Sequence, residues 1–256
     1  MNIKQSIALL VTSTVTMFST VSADQPAAAE ISRPKVIFFD VNETLLDLTQ
    51  MRKSVGEALG GKEELLPLWF STMLHYSLVD TATERYHGFA DIGVAALMMV
   101  AQNNNIEITE AEARKAIVTP LRSIPAHDDV KKGLQSLKDQ GYRLISFTNS
   151  SNKGVQTQFE NAGLVEFFEK RLSVEDIKTY KPNLASYQWA MKQAGVKPEE
   201  AMMVAAHGWD IAGVKAAGMT GVFVTRPGKT TYPLAIPADK EVATITELAE
   251  WMKTLK

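Results

Sequence analysis

Four short polar clusters, three of them directly following an apolar run, are the parts of this sequence that could do chemistry. The first is Asp40, which ends the run Lys-Val-Ile-Phe-Phe-Asp and precedes Val41-Asn42-Glu43-Thr44-Leu45-Leu46-Asp47. A carboxylate at the tip of a buried strand stands where an α/β sheet presents its ligand, although a turn-forming Asp bonded to local amides would look the same. The second cluster is Thr148-Asn149-Ser150-Ser151-Asn152. It offers hydroxyl and amide donors ahead of a helix whose N-terminus favours anions, and taken locally an N-cap is the stronger reading. The third is Tyr180-Lys181-Pro182 with Tyr187 beyond it. A Lys in a stiff turn could hold a carboxylate nucleophile ionised, but most lysines are solvated surface groups. The fourth, His207-Gly208-Trp209-Asp210, follows the run Met202 to Ala206. Asp210 could orient or activate water there, or cap a helix, and His207 could be structural.

The elements that must position these clusters read as strands alternating with helices. Val36 to Phe39, Arg143 to Phe147, Arg171 to Ser173, Ala201 to Ala205 and Gly221 to Thr225 are short apolar runs rich in β-branched and aromatic residues, the pattern of buried parallel strands. Helical spacing fills Asp128 to Asp139, Val155 to Ala162, Leu184 to Ala194, Asp210 to Ala217 and Ile245 to Leu255. From about Leu48 to Arg122 the pattern is helical throughout, within Glu64 to Val79, Phe89 to Ala101 and Ala113 to Leu121. The expected architecture is an α/β, doubly wound (Rossmann-like) parallel sheet core, residues 33–48 and 126–256, with an inserted helical cap at 49–125.

Hydrophobic residues make up 45% of the chain, enough for a sizeable core. The formal net charge is −2 with the basic residues scattered, so a small-molecule partner is expected and no nucleic acid. The sequence has no Cys, which excludes disulfides and thiolate catalysis. Residues 1–23 combine Lys4, an apolar but Thr/Ser-rich run from Ile7 to Val21 and the small residues Val21-Ser22-Ala23. This reads as a signal peptide cleaved after Ala23, giving a periplasmic or secreted protein with no membrane association after cleavage.

Taken in order, VIFFDVNETLLDL, FTNSSN, YKPNLASY and VAAHGWDIAGVKAAG resemble the haloacid dehalogenase superfamily, and most of all its type II L-2-haloacid dehalogenases. The similarity runs from about residue 35 to 225, with WF…LHYS and RYHGF falling where the family's cap lines the site. It implies that Asp40 attacks the halogen-bearing carbon of a small 2-haloacid, that water cleaves the resulting aspartyl ester, and that Asp210 with Lys181 places that water, with His207 assisting as base. The resemblance assigns the substrate carboxylate to Thr148 and the amides of Val41 and Asn42, and the leaving halide to Asn149. Trp209, Phe89 and Tyr187 are then walls of an apolar pocket. Family members are often dimers, so a homodimer fits, although no stripe in the sequence marks an interface.

The magnesium-dependent phosphatases of the same superfamily are the rival. Those similar to this core carry a second Asp two residues after the nucleophile, where this chain has Asn42, and an acidic pair in the fourth motif, where Ala206 replaces the first acid. Asn cannot transfer the proton, and Mg²⁺ wants several oxygen ligands. No metal and no cofactor is therefore expected. Three residues depart from the dehalogenase pattern. Phe70 stands where the cap carries a halide-binding Arg, and Ala205 and His207 replace an expected Ser and Asn. Loss of the Arg would cost on the order of 2–4 kcal/mol of transition-state stabilisation unless another cation, such as Arg85 or Lys53, reaches in. An exported anion-binding protein with little turnover is the remaining alternative, although an anion site gains nothing from two carboxylates.

Overall fold

Val36–Phe39 is wholly buried on both faces, as expected of a strand at the middle of a sheet covered by helices on either side. This strand, β1, pairs in parallel with β2 (Arg143–Thr148) on one edge and β4 (Ala201–Ala205) on the other. A computed structural model describes residues 31–256, so the expected signal peptide at 1–23 and its expected cleavage after Ala23 lie outside the described residues. Among these residues β3 (Lys170–Ser173), β5 (Thr220–Val224) and β6 (Lys240–Val242) complete one six-stranded sheet, ordered β3-β2-β1-β4-β5-β6. All its pairings are parallel. This is a doubly wound order, and its direction reverses between β1 and β4.

After β1 come α1 (Thr49–Ala58), α2 (Leu66–Ala82), α3 (Phe89–Asn103) and α4 (Glu110–Leu121). α3 is apolar almost all round and is buried at Ile92, Val94, Leu97 and Val100, so it needs neighbours on several sides. α2 supplies one of them. Trp69 donates its indole N–H to the carbonyl of Gly93 at 2.8 Å, and a Cβ on Gly93 would stand 2.9 Å from the sulfur of Met73, so a larger residue there would push the Met73 side chain aside. The capping box of Thr109 and Glu112 fixes the start of α4.

The remaining helices, α5 (Val130–Asp139), α6 (Asn152–Ala162), α7 (Leu184–Ala194), α8 (Gly208–Ala216) and α9 (Ile245–Met252), alternate with the later strands. Ser151 caps α6 and Asn183 caps α7, each by accepting a backbone N–H. Arg226, just past β5, ties three parts of the chain together. Its guanidinium holds Asp129 at 2.7 and 3.1 Å and the carbonyl of Thr44 at 3.0 Å, while Asp129 accepts the N–H of Ile245 at the head of α9.

Candidate active site

Asp40 and the head of α8 flank the point where the strand order reverses, at the carboxyl ends of β1 and β4. Asp40 continues β1 by donating its N–H to the carbonyl of Val204, which directs its side chain out of the strand end. Its carboxylate accepts from three groups: Lys181 Nζ on Oδ1 at 3.0 Å, and Thr44 Oγ1 at 2.7 Å and His207 Nδ1 at 3.2 Å on Oδ2. Burial works against this charge. The Lys181 ammonium, then the hydrogen bond and charge of His207, outweigh burial and hold the carboxyl well below the usual carboxylate range.

Lys181 is fully buried and donates to Asp40, to Asp210 Oδ2 at 2.7 Å and to the carbonyl of Phe147 at 3.0 Å. Burial favours its neutral form, but Asp210 and Asp40 together raise its pKa and keep it an ammonium. Asp210 lies in the first turn of α8 and does not cap it. Its Oδ1 accepts from Tyr187 Oη at 2.5 Å, so each of its oxygens already has a strong donor. Burial, aided by the charge of Asp40 and opposed by Lys181, pushes its carboxyl up, so of the two carboxylates on Lys181 it is Asp40 that holds its charge more firmly.

His207 occupies the N-cap position of α8 yet makes no capping bond, because its ring is engaged elsewhere. Nδ1 faces Asp40 and Nε2 faces Glu43 Oε2 at 2.9 Å. Burial lowers its pKa, but hydrogen bonds to Asp40 and Glu43, with their charges, win and raise it to about 9. The imidazolium lies between two rings, with Trp209 at 5.0 Å and Phe70 at 5.9 Å between centroids, both nearly parallel to it. The two carboxylates thus favour the protonated form of the His207 ring.

Three expectations change. Asn149 does not face an open halide site: its Oδ1 accepts the N–H of Lys181 at 3.0 Å and its Nδ2 donates to the Lys181 carbonyl at 3.4 Å, so it clamps the main chain of that residue. Tyr187 is wholly buried and serves Asp210 as a donor rather than lining a pocket. Phe89 packs on Tyr180 at 5.7 Å and lines a separate cleft of about 240 Å³ that reaches Ser150 and Gln158. Thr148 is buried beside the site and accepts the N–H of Ser150 at 3.1 Å. Among the described residues no protein acceptor is found for the amides of Val41 and Asn42. The Asn42 side chain donates to Ser150 Oγ and accepts from Gln158 Nε2, which fixes it away from any proton-transfer position.

Neither proposed substitute cation reaches Phe70. Lys53 is exposed beside Glu57, and Arg85 is exposed. The cation that does is Lys229, whose ammonium lies 5.6 Å from the Phe70 ring and 2.6 Å from Glu43 Oε1. Sequence reasoning passed over both Lys229 and Glu43, and it gave no role to Thr44, which bridges Asp40 and the N–H of Ala206 at 2.9 Å. The one local signal for Glu43 lies in its backbone, whose φ of 63° is a conformation rare for Glu. Glu43, Phe70, Arg52 and Lys229 line a cleft of about 340 Å³ that opens beside the buried cluster.

A carboxylate held ionised in a largely closed site, with unengaged backbone amides beside it, can act as a nucleophile toward an anionic electrophile. The donor set does not suit Mg²⁺. Lys181 already bridges Asp40 and Asp210, Ala206 offers no side-chain oxygen, and among the described residues no three His, Asp or Glu side chains converge as metal ligands.

The chain is 28% identical over 218 residues to (S)-2-haloacid dehalogenase 1 of Pseudomonas sp. (strain CBS-3), covering 85% of this chain and 96% of that protein. It is 26% identical to haloacetate dehalogenase H-2 of Moraxella sp. (strain B), over 76% of this chain and 87% of that protein. The L-2-haloacid dehalogenase structure from Xanthobacter autotrophicus shares the fold with a TM-score of 0.79 at 21% identity, over 87% of this chain and all of that one. The family model for haloacid dehalogenase-like hydrolases matches residues 37–224, so the chain belongs to that hydrolase family.

Proposed function

We propose that this hydrolase removes halide from small 2-haloacids by way of an ester on Asp40, giving a 2-hydroxy acid. The observation that carries the reading is the ion pair of Asp40 with the fully buried Lys181, which keeps a nucleophilic carboxylate charged away from water. Halide leaves without needing a proton, which agrees with Asn42 being locked onto Ser150 and Gln158. The named relatives, haloacid and haloacetate dehalogenases, support the same chemistry.

In this reading Asp40 attacks carbon, Lys181 holds it ionised, and Thr148 with the Val41 and Asn42 amides receives the substrate carboxylate. The imidazolium of His207, beneath Phe70, supplies positive charge near the position of the missing cap Arg. Trp209 and Phe70 make the site narrow, which favours haloacetates and other short acids. Residues 49–125 act as the cap over a core of 33–48 and 126–256. The mature protein is exported after cleavage at Ala23, works without a metal ion and takes no nucleic acid; a homodimer is the assembly that its relatives suggest.

Halide release from 2-chloro-, 2-bromo- and fluoro-acids, with EDTA present and Asp40→Asn as control, tests this reading. Release that survives chelation and vanishes in Asp40→Asn is the expected result. Release of phosphate from phosphate esters, restored by Mg²⁺ after chelation, would favour the phosphatase alternative.

A further inference from the structure

Asp40 is only 5% exposed, so an acid reaches it by passing the residues that cover it, and two clefts border that cover. Behind the cleft of about 240 Å³ stand Ser150 and Gln158, tied together by buried hydrogen bonds. Asn42 Nδ2 donates to Ser150 Oγ at 3.0 Å, and Gln158 Nε2 donates to Asn42 Oδ1 and to the carbonyl of Leu121, both at 3.1 Å. Opening that wall would strand several buried polar groups. Behind the cleft of about 340 Å³ stand Phe70, which stacks on His207, and the ion pair of Glu43 with Lys229. The two side chains of that pair are 21% and 22% exposed. A partly exposed pair is held weakly, and its cation can exchange one carboxylate for another. The larger cleft is therefore the easier entrance.

Two cations stand there. Lys229 ends the turn Arg226-Pro227-Gly228-Lys229, in which Pro227 suits the second position and Gly228 takes the positive φ of 75° that the third requires. The Lys229 N–H closes the turn on the Arg226 carbonyl at 3.0 Å, and Asp129 fixes Arg226 in place, so Lys229 is presented from a rigid base. Arg52, in the first turn of α1, is exposed and lines the same cleft. The positions three and four residues from it, Leu48, Thr49, Val55 and Gly56, carry no charge, so no acid on α1 is spaced to pair with it. Nearby acids are taken: Glu57 faces Lys53, Asp47 caps Thr49, and Glu43 serves Lys229 and His207.

We propose that Arg52 and Lys229 form an outer site that captures the carboxylate of a small acid at the mouth of this cleft, before the acid reaches Asp40. The identity of that acid rests on the haloacid reading above. The incoming carboxylate replaces Glu43 on the Lys229 ammonium, which releases the pair that closes the entrance, and the acid then passes Phe70 toward Asp40. Arg52 supplies the charge that draws the acid in and takes no part in the chemistry.

The test compares wild type with Arg52→Glu, Arg52→Lys and Arg122→Glu, the last an equal change of charge at the rim of the other cleft. Halide release from chloroacetate is followed from about 0.01 to 1 M ionic strength, over which the screening length shortens from about 30 to 3 Å. Acetate binding, which needs no turnover, is followed by NMR. Arg52→Glu should lower kcat/KM roughly tenfold at the lowest ionic strength, the lower end of what local charge supplies to association, with kcat unchanged and the gap closing at the highest. Its Kd for acetate should rise by a similar factor, while Arg52→Lys and Arg122→Glu stay near wild type. Wild-type kcat/KM and acetate binding in Arg52→Glu, an equal loss in Arg122→Glu, or a loss that salt does not screen would each overturn the proposal and leave the dehalogenase reading intact. If the wild type releases no halide, the haloacid reading falls and acetate binding decides: weakening by Arg52→Glu upholds the carboxylate site, and unaltered binding removes it.

Discussion

At the scale of single residues, three carboxylates, Asp40, Asp210 and Glu43, are faced by three cations, Lys181, His207 and Lys229, in a largely buried cluster. Such a cluster tolerates exchange of a matched pair better than loss of one member, because a lone buried charge keeps its desolvation penalty. Lys181→Met should therefore destabilise the fold by about 3–5 kcal/mol in urea denaturation and abolish turnover. Adding Asp210→Asn should return part of the stability and none of the activity; a double variant no more stable than Lys181→Met would contradict this picture. Asp40, His207 and Asp210 were legible in the sequence because they follow the ends of apolar strand runs, where this topology places its ligand, and Lys181 because it sits in a stiff turn before Pro182 and a helix. Their pairings were less so. Glu43 meets His207 across 164 positions, and nothing local distinguishes it from a solvated Glu. Asn149 and Tyr187 were singled out by type, but only the structure shows that their polar atoms serve Lys181 and Asp210.

At the scale of elements, glycines decide how closely the helices carrying the site approach one another. A Cβ on Gly213 in α8 would fall 2.6 Å from the Tyr187 hydroxyl and 2.8 Å from Pro182 Cβ. One on Gly133 in α5 would fall 2.5 Å from the backbone of Ile245 in α9, away from the chemistry. Both Ala substitutions should lower stability by about 1–3 kcal/mol through overpacking. Only Gly213→Ala should also lower kcat, because it displaces the Tyr187–Asp210–Lys181 chain; melting curves and steady-state kinetics on the two variants separate the effects. Strands β1, β2 and β4 were legible from their apolar, β-branched runs. β6 was not, because Lys-Glu-Val is a three-residue edge strand with two charged side chains and no apolar run to mark it. α1 was legible only as part of a broadly helical stretch, since it buries Met51, Val55 and Gly56 and leaves its charged residues outward.

For the whole molecule, the same charges make stability depend on pH in a definite direction. His207 binds its proton more tightly folded than unfolded, with a folded pKa of about 9 against an ordinary value of 6.5. Its contribution is thus fully present below about 6.5 and is lost as the pH rises through 9. Asp40 has the opposite sign: its carboxyl is depressed, so its contribution is present above the usual carboxylate range and is lost on acidification. Melting temperature should peak at mildly acidic pH and fall between pH 7 and 9, reflecting on the order of 2 kcal/mol at 25 °C. In His207→Asn that alkaline decline should be largely absent; a decline of equal size would assign it to other groups.

The central claim is that Asp40 is esterified and that water then attacks its carboxyl carbon. A single turnover of a 2-haloacid by excess enzyme in water enriched in heavy oxygen tests it, with the label located by mass spectrometry of the peptide carrying Asp40 and of the product. Label in the Asp40 carboxylate and none in the first-turnover hydroxy acid is the predicted result. Label in the hydroxy acid with an unlabelled Asp40 would mean that water displaces the halide directly, and would contradict the account.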